Sequence, residues 1–254
     1  KVDSEGLQIE HLLRDIETLN HWALEGKLEI TALSVHAYAQ VTDRYALLPS
    51  GASMGDNYGP MVVAREPIEP AALKGMRIAV PGLLTSAYLA LRLYQPDFQA
   101  EVVPFDRIMD AVTEGKVDAG LLIHEGQLTH TSAGLHTIVD LGVWWKGETG
   151  LPLPLGVNAV RRDLGPEVMA KAARVQEASI RYGLEHREEA LAYALRFARD
   201  MDPKLADKFV GMYVNQRTLD LGDDGRQSIR LFLQRGFEAG LLKAAPQVDF
   251  VELG

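Results

Sequence analysis

The chain has 254 residues, 47% hydrophobic and 24% charged, and its 35 acidic against 26 basic side chains leave a formal net charge of −9. This composition excludes a disordered chain, a collagen and a disulfide scaffold, and the acidic balance disfavours nucleic acid and anionic membrane surfaces as partners. The length suits one large domain or two small ones. A local site can still bind a small anion against the global charge. Without cysteine, no disulfide, zinc–thiolate site or thiol nucleophile is possible, and the redox compartment stays open. No apolar run approaches the ~20 residues of a membrane span. The opening Lys1-Val2-Asp3-Ser4-Glu5-Gly6 is not a signal peptide and has no initiator methionine. A trimmed chain and an unseen true start are both open readings of it.

Short apolar strands alternate with longer helical patterns, which reads as α/β. Gly6 to Leu13 alternates loosely and is predicted as a strand. Asp15 to Glu25 is predicted as a helix stopped by Gly26, and Leu28 to Leu33 as a strand that turns at Ser34 into a helix to Val41. Tyr45 to Leu48 is a short apolar run, Gly51 to Gly59 a loop, and Met61 to Ala64 a strand. Glu66-Pro67-Ile68-Glu69-Pro70 reads as a crossing between domains. A fresh βαβ run follows: strand Arg77–Val80, a helix Ala87–Tyr94 capped by Thr85-Ser86, strand Ala100–Val103, helix Phe105–Glu114 and a buried parallel strand Ala119–Ile123. Leu135 to Leu141 is a further strand. Leu151-Pro152-Leu153-Pro154-Leu155 reads as the return crossing, and Val157 to Val160 as a strand of the first domain. The remainder is predicted mainly helical: Glu167–Arg181 with Pro166 in its first turn, Glu188–Arg199, Pro203–Tyr213 and Gln227–Ala239, with a turn-rich strip at Leu219–Asp224. Two lobes follow, residues 1–66 with 155–254 and residues 67–154, with a ligand cleft between them.

Three strand ends could carry chemistry. Ser34 follows Leu33 at a helix start, where a hydroxyl and main-chain N–H groups suit a carboxylate or phosphate. Gly82-Leu83-Leu84-Thr85-Ser86-Ala87 offers a second such start. The alternative at both is a cap that only satisfies its helix. His124 ends the Ala119–Ile123 strand, and an imidazole there suits proton transfer. The alternative is a histidine hydrogen-bonded at the strand edge. His36, His130 and His136 are weaker candidates, and the spacing of His124 and His130 matches no standard metal site. No nucleophile elbow, P-loop or dinucleotide fingerprint is present. Trp144-Trp145 reads either as a pocket wall or as core and rim.

Taken together, these stretches resemble the 1,4-dihydroxy-6-naphthoate synthase family of the futalosine route to menaquinone. The resemblance runs through Asp15–Asn20, Leu33-Ser34 with Ala37-Tyr38-Ala39, Gly59–Arg65, Val80-Pro81-Gly82 and Thr85-Ser86-Ala87-Tyr88. It continues through Ala119–Glu125, Val139–Gly142, Thr149–Gly156, Tyr213-Val214-Asn215 and Leu219-Asp220. It implies the two-lobed α/β fold of the type II periplasmic-binding proteins. It implies a cytoplasmic lyase, monomer or homodimer, that opens cyclic dehypoxanthine futalosine, a small-molecule carboxylate, without metal or redox cofactor. His124 corresponds to the family's general base, and Asn20, Leu33, Ser34, Thr85, Ser86 and Ala87 to its substrate-binding positions. Neither nucleic acid nor membrane is an expected partner. Relatives begin with a strand and a Ser-Pro-Cys-Pro-Asn-Asp-type loop before the stretch at which this chain starts, and Ser53–Tyr58 departs from the Gly-Arg-Gly type of loop. A non-catalytic solute-binding protein for a small aromatic or carboxylic acid is the competing reading. The related chorismate dehydratase fits the motifs less well.

Overall fold

A computed structural model describes residues 1–124, 126–196 and 203–252. Strands β1 (Ile30–Ser34), β2 (Tyr45–Leu47), β3 (Ser53–Gly55), β4 (Met61–Ala64), β5 (Arg77–Val80), β6 (Gln99–Val102), β7 (Ala119–Leu122), β8 (His136–Asp140) and β9 (Leu153–Arg161) form two sheets. The first has the order β1-β9-β2, with β3 also on β9, and every pairing is antiparallel. The second runs β6-β5-β7-β4-β8; β5 is parallel to β6 and β7, and β4 is antiparallel to β7 and β8. All four residues of β7 are buried, as its unbroken apolar run requires.

The pairing moves both predicted crossings. β4 lies in the second sheet, so the chain passes between sheets at Asp56–Pro60, ahead of Met61 and not at residue 67. The Glu66–Pro70 stretch links β4 to β5 within one sheet and enters a 3₁₀ turn at Pro70–Leu73. Proline density marks an extended or turning segment but is silent on which sheet the flanking strands join. On the return, β9 already begins at Leu153. Pro154 sits within it opposite Met54, where a register shift between Ser53 and Met54 accommodates the missing N–H.

Local signals place the helices well. Ile16–Glu25 starts on the Asp15 carboxylate, which accepts from Thr18 N–H, and ends at Gly26 in the left-handed region. Ser86–Tyr94 follows a Thr85 cap, and Gly165–Glu185 carries Pro166 in its first turn. The predicted helix from Glu188 is Arg187–Ala194; its expected end at Arg199 and Glu125 of the family motif lie outside the described residues. Phe105–Glu114 divides into a 3₁₀ turn, Phe105–Arg107, and a helix, Ile108–Thr113. The Leu219–Asp224 strip holds the end of one helix, Gln216–Leu219, a non-helical break at Asp220-Leu221, and the start of another, Gly222–Glu238. Gly6–Leu13 is not a strand: no ladder partner runs beside it among the described residues, and Ile9 and Leu13 are 52% and 60% exposed. The segment Leu141–Thr149, without a prediction, is a helix capped by Asp140. It carries Trp145 into the core, where the indole donates to Ser228 Oγ at 3.1 Å. Trp144 meets Tyr94 edge-on, so the tryptophan pair is core and rim.

The Asp56–Pro60 crossing is held by charge and by close backbone approach. Asp56 pairs with Lys146 at 2.8 Å and Arg217 at 2.9 Å, and the Lys146 hydrogen bond leads in holding its carboxyl below the usual range. A Cβ on Gly142 would lie 2.0 Å from the Tyr58 carbonyl oxygen and 2.7 Å from the Gly59 nitrogen. Gly142→Ala is therefore expected to destabilise the fold by about 3 kcal/mol in urea unfolding. Gly147→Ala, on the same helix with nothing within 4 Å, is expected to be neutral or stabilising by up to ~1 kcal/mol.

Candidate active site

Elements of both sheets converge on a cavity of about 230 Å³. β1, β3 and β9 bring Ser34, Ser53, Leu155 and Gly156; the turn after β5 brings Thr85, Ser86 and Ala87; the end of β7 brings Ile123, His124 and Gln127. Phe209 and Tyr213 reach it from the helix Pro203–Tyr213, and Ile16 and Pro60 complete the lining. None of these side chains is acidic, arginine or lysine, so polarity comes from hydroxyls, amides and one imidazole.

His124 adopts φ +57°, the left-handed region, which costs a non-glycine residue about 1 kcal/mol or more. The backbone turn carries its ring off the end of β7 and into contact with two phenylalanines. The ring meets Phe105 edge-on at 4.9 Å and Phe209 at 6.4 Å. An imidazole held this way between apolar rings has a restricted direction while it borders the cavity. His130, by contrast, is buried, with Nδ1 3.1 Å from the Gln127 carbonyl and Nε2 2.8 Å from Thr137 Oγ1. It braces the turn after His124.

The hydroxyl positions divide. Thr85 Oγ1 accepts from Tyr88 N–H at 3.1 Å and donates to the Gly82 carbonyl at 2.8 Å, so its side chain is a helix cap. Ser86 Oγ donates to the Leu155 carbonyl of β9 at 2.5 Å and accepts from His36 N–H at 3.3 Å. What this helix start offers a ligand is the main-chain amides of Ser86 and Ala87, which an α-helix leaves without an intrahelical acceptor. The start at Ser34 is less open than its sequence suggests. The helix after it is one turn, Val35–Tyr38; the Ser34 N–H is held by Asn20 Oδ1 at 2.8 Å, and the His36 N–H is held by Ser86. Ser34 Oγ accepts from Asn20 Nδ2 at 3.1 Å while the residue lines the cavity.

Of the predicted site residues, Ser34, Thr85, Ser86, Ala87 and His124 meet at the cavity, whereas Asn20 and Leu33 do not line it. Asn20 is wholly buried behind Ser34 and clamps it. Leu33 is core: in β1 alternate side chains face opposite ways, so a neighbour of Ser34 points to the hydrophobic cluster. Glu17, beside Asn20, lies against the Gly82 turn, where its Oε1 accepts from Leu84 N–H at 3.4 Å. Gln127, Phe209 and Tyr213 were not anticipated. Tyr213 stands in a family-like stretch, but no local pattern reveals that its helix reaches His124. Among the described residues no group of three or more metal-ligating side chains is assembled, and no helix is long and apolar enough to cross a membrane.

This architecture is the periplasmic-binding-protein fold. The ligand-binding component of an ABC-type import system from Staphylococcus aureus matches with a TM-score of 0.65 at 12% identity, covering 92% of this chain and 82% of its own. At that identity the likeness is one of fold. Nearer relatives define the family. The model for menaquinone biosynthesis proteins matches residues 2–238. The 1,4-dihydroxy-6-naphthoate synthase of Thermus thermophilus is 44% identical over 243 residues, covering 96% of this chain and 89% of the relative. That of Streptomyces coelicolor is 41% identical, covering 91% and 83%. The crystal structure of a protein from Archaeoglobus fulgidus matches with a TM-score of 0.89 and 45% identity, over 93% of this chain and 88% of that one. The chain belongs to the menaquinone biosynthesis family.

Two outcomes follow from the polar shell. Asn20→Ala leaves the buried Ser34 amide without its acceptor and is expected to lower stability by about 2 kcal/mol in urea unfolding, and Asn20→Asp, which sets a buried carboxylate against the Glu17 Oε2 that Asn20 Nδ2 meets at 3.1 Å, is expected to lose at least as much. His36 is buried, its Nδ1–H directed at the Thr85 carbonyl at 3.3 Å, and burial pushes its pKa down from 6.5 to about 4. The folded state thus keeps a neutral ring while the unfolded chain takes up a proton. Stability contributed by the neutral ring is present above pH 6.5 and declines by up to about 3 kcal/mol as pH falls to 4. His36→Asn, which keeps a donor and does not titrate, is expected to flatten that part of the pH dependence of the unfolding free energy.

Proposed function

We propose that the chain is a 1,4-dihydroxy-6-naphthoate synthase. In this reading it is a carbon–carbon lyase that converts cyclic dehypoxanthine futalosine to 1,4-dihydroxy-6-naphthoate, with His124 as general base and without metal or redox cofactor. The observation that carries the reading is the placement of His124: a histidine off a strand end, in a strained backbone conformation, bordering the cavity between the sheets. Strain of this kind clusters at functional sites. The 44% identity to a protein of that name supports the reading of a naphthoate-forming enzyme.

The residues suit the chemistry. A neutral imidazole can take a proton from a sugar carbon near neutral pH if it is held within hydrogen-bond reach. Phe105 and Phe209 limit the ring's freedom. The substrate carboxylate would lie at the amides of Ser86 and Ala87, where the helix start adds positive potential without a charged side chain. Ser34 would add a hydroxyl held by Asn20. A cavity of about 230 Å³ is below the ~300 Å³ at which typical ligand sites begin. The same reading makes the enzyme cytoplasmic, a monomer or homodimer, acting on a free small molecule.

His124→Ala is expected to reduce turnover of cyclic dehypoxanthine futalosine by about 10²–10⁴-fold. Its affinity for 1,4-dihydroxy-6-naphthoate should stay within a few-fold of the parent, and its melting temperature close to it. Chromatography for the naphthoate product measures the first and calorimetric titration the second. Undiminished turnover in the variant would remove His124 from the mechanism. A folded parent that forms no product would favour a non-catalytic solute-binding protein.

A further inference from the structure

Gln127 follows His124 on the same turn, its main-chain N–H donating to the His124 carbonyl at 3.2 Å, and it lines the same cavity. It is 6% exposed, yet it carries a carboxamide. The Oε1 end accepts the Tyr213 hydroxyl at 2.7 Å. A phenol has one proton to donate, and burial pushes the Tyr213 pKa up, so the donor persists at neutral pH. This fixes which end of the carboxamide faces Tyr213. The Nε2 end has no acceptor among the described residues. Neither is it sealed: the buried side-chain polar atom without a partner, among those described, is Ser50 Oγ and not Gln127 Nε2. The open side of Nε2 is therefore the cavity that the residue lines.

The other side-chain donors differ. The protons of Thr85 and Ser86 are engaged by the Gly82 and Leu155 carbonyls, and the Ser34 hydroxyl, which accepts from Asn20 and keeps its proton for the cavity, comes from β1 rather than from the turn of His124. Gln127 instead presents N–H groups one turn from the candidate base, their direction set by a residue of the helix Pro203–Tyr213. We infer that Gln127 determines specificity by donating from Nε2 to a ligand oxygen beside His124, and that Tyr213 is the positioning residue that aims this donor. The inference rests on the lyase reading above. When His124 takes a proton from a carbon next to a carbonyl, the C–H electron pair moves onto the carbonyl oxygen, and a fixed neutral donor there favours the transition state.

The test compares the parent, Gln127→Ala, Gln127→Glu, Tyr213→Phe and the Gln127→Ala/Tyr213→Phe pair. Each is assayed for turnover of cyclic dehypoxanthine futalosine, for 1,4-dihydroxy-6-naphthoate binding and for thermal melting. Gln127→Glu keeps an oxygen for Tyr213, and above the titration of its carboxyl it replaces the donor with an acceptor; kcat/KM in that pH range should fall by more than about 100-fold. Gln127→Ala should lose about 10-fold. Tyr213→Phe should lose about 5-fold, chiefly through kcat, and should have less than about a 2-fold effect in the Gln127→Ala background, because it acts through the carboxamide. Gln127→Glu with turnover within about 2-fold of an active parent overturns the inference. So does a Tyr213→Phe effect of equal size in both backgrounds. A folded parent without turnover overturns the lyase reading itself.

Discussion

Strand β9 is the constraint on which the cavity depends. Its antiparallel ladder holds β1 from Ile30 opposite Val160 to Ser34 opposite Gly156, with β2 and β3 on its other flank. The same strand offers the Leu155 carbonyl to Ser86 Oγ, so one backbone segment fixes both the first sheet and the helix start that follows β5. Leu155 and Gly156 are themselves part of the cavity wall. Ser34 and Ser86, from different sheets, are thereby referred to a common backbone. Around this seam Asn20 clamps Ser34, Glu17 receives the Leu84 amide, and His36 donates its main-chain N–H to Ser86 and its ring N–H to Thr85.

The net charge of −9 has little bearing on such a site. The cavity holds no carboxylate side chain to repel an anion, and the helix start supplies amides at short range, where field strength is highest. The ionic groups that matter structurally lie elsewhere, as in the Asp56–Lys146–Arg217 set at the crossing. Burial keeps the polar shell neutral, through the depressed pKa of His36 and the raised pKa of Tyr213. Binding a small carboxylate there does not require desolvating a fixed counter-charge.

His124 illustrates how strain and support combine. Its left-handed backbone is unfavourable for an L-residue. The turn that follows is braced by Gln127 N–H on the His124 carbonyl and by His130 on the Gln127 carbonyl. Tyr213 then reaches Gln127 from a helix near the other end of the chain. A strained residue persists when its surroundings over-determine it.

Much of the local structure was readable from the residues alone. The Thr85 cap, the Gly26 stop and the Pro166 helix start depend on short-range sterics and hydrogen bonds, which a few neighbouring residues determine. The apolar run of β7 and the histidine at its end were legible for the same reason, and so was the family. Asp140 was read inside the strand Leu135–Leu141, and its cap for the helix after it was not read. Tertiary structure alone decided that β4 joins the second sheet, that Pro154 lies inside β9, that Gly6–Leu13 has no partner and that Asn20 stands behind the cavity. It alone brought Tyr213 to Gln127. Short apolar strands carry nearly interchangeable patterns, so their partners are selected by register and packing across long sequence separations, which no local window contains.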